Sequence, residues 1–96
     1  MQRTDLLEFE PGRGRWSRDA DGYEFTGIGV SGPVRFVITA EALRELVNPG
    51  GEAVDGELGV SIFEQFDHDI FHIAQREVSR RGTEHQPIIL TRDDMG

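Results

Sequence analysis

The fold turns on residues 27–39, "GIGVSGPVRFVIT". The first six residues spell G-x-G-x-x-G, the turn that cradles a dinucleotide pyrophosphate. That turn works where a strand ends, glycines let the backbone approach the phosphates, and a helix begins with its N–H groups aimed at them. The first half is present: "YEF", residues 23–25, precedes, and Glu52 lies about twenty residues past the last glycine, where a ribose-binding acid belongs. The second half fails. Pro33 opens a run in which Val34, Phe36 and Ile38 alternate with Arg35 and Val37, the period of a strand and not of a helix. Proline is compatible with a strand start. Ser31-Gly32 therefore reads as a turn between two antiparallel strands, with Gly27 and Gly29 at a twisted or bulged strand end. "GVSGP" also falls short of the G-x-S-x-G elbow of serine hydrolases, lacking its final glycine and its helix.

Working outward, Asp21-Gly22 is a hairpin signal between "RWSRD", a weakly alternating strand with Trp16 facing inward, and "YEFTGIGV". Residues 5–9, "DLLEF", form a short first strand. After Ile38, Thr39 stands as N-cap of a helix over "TAEALRELV", with Leu43, Leu46 and Val47 at helical spacing, and "NPGG" ends it. A long helix is expected from about Gly56 to Arg81, stopped by Gly82. "QPIILT" is a last short strand. The fold class is thus α+β: an antiparallel sheet of three to five strands, an N-terminal meander plus a C-terminal strand, with two helices packed on one face. Residues 1–96 read as a single domain.

Composition narrows the chemistry. The 96-residue chain has no cysteine, which removes disulfides and thiolate chemistry. It has no lysine, which removes a Schiff-base or P-loop lysine. Its net charge is −8, and Glu41, Glu45, Glu52, Asp55, Glu57, Glu64, Asp67 and Asp69 fall in one segment with Arg44 as the one base. Such a surface repels phosphate backbones, so direct nucleic-acid binding is not expected. Two readings of the acids stand: a solvated surface, or an acidic inhibitor that mimics nucleic acid. No apolar run approaches a membrane span and the N-terminus does not read as a signal peptide, so the expected location is the cytoplasm.

His68 and His72 are four residues apart, a metal-ligand spacing on a helix. A helical wheel sets them beside Gln65, Gln75 and Ser79. That side is opposite Leu58, Ile62, Phe63, Phe66, Ile70, Ile73 and Ala74, so they are expected in solvent. Asp69 is off their line and His85 lies beyond Gly82; no metal or cofactor is assigned, and a small metal-binding protein or enzyme using the pair stays an alternative. Val60, Phe71 and Val78 widen the apolar arc, so a homodimer is another. Arg13, Arg15, Trp16 and Arg18 combine charge with an aromatic and suit a phosphate or a base. Asp19 and Asp21 offset that charge, and a charge-protected edge strand with Trp16 in the core reads as well. No nucleophile with a paired base appears, and no catalytic residue is assigned.

The runs "VRFVITAEALREL", "IFEQFDHDIFHIAQREVSRRG" and "PIILTRDDM" together resemble a small bacterial family known as domain of unknown function 1488, over residues 15–95. The carriers are (I/V)-(S/T)-x-E-A-L at Ile38 to Leu43, the helix with Phe66, Ile70 and Ala74, and L-T-x-x-D at Leu90 to Asp94. The chain departs at His68 and Asp69, where members often carry arginine or asparagine, and at Met95, where an aromatic is common. The resemblance implies an α+β domain and no established activity. The expected role is a non-catalytic binding or regulatory accessory protein acting through contacts with an unknown protein partner, its surface including Arg13, Arg15, Trp16 and Phe71.

Overall fold

The computed structural model describes residues 6–10, 14–30, 32–47 and 54–95. The elements in chain order are β1 (Glu8–Phe9), β2 (Arg15–Ser17), β3 (Gly22–Gly29), β4 (Gly32–Thr39), α1 (Ala40–Val47), α2 (Gly56–Gln65), α3 (Asp67–Arg81), β5 (Ile88–Leu90) and a 3-10 turn at Arg92–Asp94. The segment after Pro33 is extended. β3 and β4 pair antiparallel along their whole length, from Gly22 opposite Thr39 to Gly29 opposite Gly32. Gly32, read from the sequence as part of the turn, pairs with Gly29 and belongs to β4, while Ser31 lies outside the described residues. Gly32 opens β4 with φ 118, a backbone angle that side chains rarely adopt.

β3 lies at the centre. β1 and β2 pair with its two ends on one side, β4 with the other, and β5 lies beyond β4. Only the last pairing is parallel, with Val37 opposite Ile89. The chain leaves β4, passes through the helices and re-enters in the same direction, and such a crossover yields a parallel neighbour. The first strand is shorter than expected, since Leu6 and Leu7 precede the pairing and Asp5 lies outside the described residues.

Thr39 caps α1 as expected, its Oγ1 accepting from the Ala42 amide at 3.1 Å. The expected single helix over residues 56–81 is two helices, broken at Phe66, whose ψ of 21 departs from the helical value. A straight helix of that length would run about 39 Å at ~1.5 Å per residue, whereas strands of eight residues span about 27 Å. The break lets both halves stay over the sheet. Asp55 caps α2 by accepting from the Leu58 amide at 2.9 Å. Asp67 and Asp69 sit in the first turn of α3, where the exposed amides favour negative charge.

Side chains alternate across a strand, so residues paired across the ladder share a face. Tyr23, Phe25, Val34, Phe36, Ile38, Ile88 and Leu90 form the inner face, all buried. The helices supply Leu43, Ile62, Phe63, Ile70, Ala74 and Val78. The rings form one continuous stack: Tyr23 on Phe63 at 4.0 Å, Phe25 on Phe36 at 5.1 Å, Phe9 on Phe71 at 4.5 Å. Leu58, read as part of the buried stripe, is 46% exposed. Gly59 takes the inward position next to it, because the Trp16 ring lies on Gly56 and Gly59.

Candidate functional site

The two faces of the sheet differ in what covers them. Contacts of α1 with β4, and of α2 with β2 and β3, lie on the inner face. The same ladder gives the outer face: Glu8, Ile28 and Pro33 in one row, Thr26 and Arg35 in the next, then Arg15, Glu24, Val37 and Ile89, then Ser17, Gly22 and Thr39. Ile28 is 48% exposed and Ile89 38%. Val37, which the alternation set among the outward residues, is buried within this face at 2%. A shallow depression of about 270 Å³ crosses it, lined by Arg15, Glu24, Thr26, Arg35 and Pro87 among others. Arg15 pairs with Glu24 at 3.2 Å. The Arg35 amide is bound by Gln86 Oε1 at 2.9 Å, and its guanidinium makes no ion pair with a described residue.

A second polar feature holds the C-terminal end of the fold. Glu77 is fully buried on α3, accepting from Arg80 at 2.9 Å, Arg81 at 2.8 Å and Arg76 at 3.2 Å. Burial opposes its charge. Hydrogen bonds from Arg80 and Arg76, with the charge of Arg81, outweigh that, and its pKa lies below the ordinary glutamate value. Arg81 also donates to Asp94 Oδ2 at 2.8 Å and to the Ile89 carbonyl at 2.9 Å. Burial likewise disfavours charge on Asp94. The Thr91 amide and Arg81 prevail and lower its pKa. Thr91 and Asp94 form a capping box, which explains the T-x-x-D of the last segment as a structural device. Arg81 occupies an acceptor of the edge strand β5, which blunts that edge toward strand addition. The Glu77 carboxylate gathers the arginines of α3, and Arg81 carries the link onward to β5 through the Ile89 carbonyl and to the terminal turn through Asp94 Oδ2.

The residues singled out from sequence disperse. His68 and His72 are both exposed on α3, and His85 is exposed in the loop beyond it. Among the described residues, no group of three or more His, Cys, Asp or Glu side chains could hold a metal ion. Trp16 is half-buried against the two glycines of α2, Arg15 is exposed on the outer face, and Phe71 stacks on Phe9 within the chain. Arg13 and Glu52 lie outside the described residues. Val78, at the edge of the apolar arc, is buried within the chain, and Val60 is half-buried against the core. Among the described residues, no helix is long and apolar enough to cross a membrane.

No family model and no curated protein matches the chain. A solved structure does: a protein of unknown function from the DUF1488 family of Shewanella loihica PV-4. The likeness has TM-score 0.70 at 20% identity, over 94% of this chain and 93% of that one. It shows a shared fold, and with a protein of the family that the strand, helix and T-x-x-D patterns resemble.

Proposed function

We propose that the chain is a non-catalytic binding or regulatory accessory domain that acts through protein contacts made by the outer face of its sheet. One observation carries this reading: the helices pack on one face, while the other presents Ile28 and Ile89 beside charged side chains. Antiparallel sheets with one solvated face normally alternate apolar and polar residues cleanly. Here the outer face keeps three branched apolar residues and a proline. The test is capture from the host with wild-type protein, with Ile28→Asp and with His72→Ala. A partner held by wild type and His72→Ala but lost by Ile28→Asp supports the outer face. A partner retained by Ile28→Asp places binding elsewhere.

A second reading has its own observation. Glu41, Asp55, Glu57, Glu64 and Asp69 are all exposed, spread over α1, α2 and the start of α3. The surface over α1, α2 and the start of α3 is therefore acidic, while the C-terminal half of α3 exposes Arg76, Arg80 and Arg81. The acidic part suits an inhibitor occupying a basic, nucleic-acid-binding protein. Steep loss of capture with salt, unaffected by Ile28→Asp, would favour it over the outer face.

A further inference from the structure

We propose that the outer face of the sheet docks a second copy of this chain, sheet against sheet, about a two-fold axis running diagonally across β3 and β4. This rests on the reading of that face as a contact surface and names its occupant. Charge selects the occupant. The strand positions of the outer face carry two acids, Glu8 and Glu24, and two bases, Arg15 and Arg35, in a chain of net charge −8. The face is neutral and the surplus of acid lies elsewhere. A basic partner is drawn to the acidic helices. A copy of the same acidic chain is repelled by α1, α2 and the start of α3, where exposed acids gather, and meets no such surplus at the balanced strand positions of the outer face.

A two-fold contact brings the same patch against itself, so it favours a patch that holds complementary charges side by side. Arg35 and Glu24 meet that condition. They are diagonal neighbours on paired strands, since Glu24 lies opposite Val37 and Thr26 opposite Arg35. An axis between them sets Arg35 over Glu24 of the second copy, and by symmetry Glu24 over its Arg35. The Arg35 guanidinium has no ion-pair partner among the described residues of its own chain. The same axis passes close to Thr26, which then faces its own counterpart. The strands of the two sheets cross steeply, toward the orthogonal class of sheet packing. Ile28, Pro33 and Ile89 supply the apolar contact. Strands about 4.8 Å apart and about 3.3 Å per residue give a contact of at most roughly 800 Å² in total, below the usual size of stable interfaces. The dimer is therefore concentration-dependent.

Sedimentation equilibrium over a concentration series tests this with wild type, Ile28→Asp and Arg35→Glu, each first confirmed as folded by circular dichroism. The expected result is a mass that rises toward two chains for wild type and stays near one chain for both variants. Cross-linking gives an independent reading, because the chain has no cysteine. Thr26→Cys is expected to oxidise to a disulfide-linked dimer, while Ser79→Cys on exposed α3 stays largely monomeric under the same conditions. Wild type that is monomeric throughout, association unchanged in both variants, or equal cross-linking at the two cysteines would overturn the second-copy contact. A monomeric wild type whose captured partner is lost by Ile28→Asp would overturn this inference alone and leave the face as a binding surface.

Discussion

Arg35 and Phe36 are adjacent in β4 and differ in nearly everything else. Phe36 is fully buried on the inner face, stacked on Phe25 and near Phe9. Arg35 stands on the outer face beside a shallow depression, with its guanidinium unpaired by any described residue. The inner face is saturated with contacts and carries the stability. The outer face has the same strand geometry and the same ladder, yet nothing among the described residues packs a helix on it. One strand thus serves two purposes with alternate residues, and substitutions along it should fall into two classes.

The largest effect is expected at Phe36. Phe36→Ala empties the centre of the ring stack and should cost about 3–5 kcal/mol in denaturant unfolding. A cost below 1 kcal/mol would mean that the inner face is not the core. Next comes Glu77→Ala, which leaves Arg76, Arg80 and Arg81 facing one another without their shared carboxylate. About 2–3 kcal/mol should be lost, less than for a sealed ion pair because all three guanidinium groups reach solvent. Gly59→Ala follows at about 1–3 kcal/mol of destabilisation by overpacking, since a Cβ there runs into the Trp16 ring. At an unencumbered helix position the same change would gain about 1 kcal/mol, so its sign reports directly on Trp16. Smallest is Arg15→Ala, which removes an exposed ion pair and should move stability by less than about 0.5 kcal/mol.

Acid sharpens the contrast from another side. Glu77 and Asp94 both have pKa values lowered by folding. Their stabilisation is fully present above the unfolded values of about 4.3 and 3.9, and it is lost as pH falls through the folded values. Thermal unfolding followed from neutral to strongly acid pH should show that loss, and Glu77→Gln should flatten it. An identical acid limb in the variant would remove Glu77 from the cause.

The alternation in "PVRFVIT" was enough to read β4, its hairpin with β3 and the absence of a phosphate-binding helix, because a period of two is a local property. The parallel placement of β5 was not readable, since it depends on the path of the helices between. The break at Phe66 carries no glycine or proline, so nothing local in the sequence marks it. Leu58 was misplaced because the wheel does not know that the Trp16 ring fills the space over Gly59. The Glu77 spacing to Arg80 and Arg81 was visible in "REVSRR", but its link to Asp94 joins residues brought close only by the fold. The outer face was the least legible: Ile28, Val37 and Ile89 lie on three strands, and only the register sets them together.

The most direct test of the division between the faces is Arg35→Glu measured twice, by denaturant unfolding and by mass against concentration. The expected result is stability within about 0.5 kcal/mol of wild type, as for an exposed substitution, together with loss of self-association. A variant that unfolds like Phe36→Ala, or one that leaves both measurements unchanged, would contradict it.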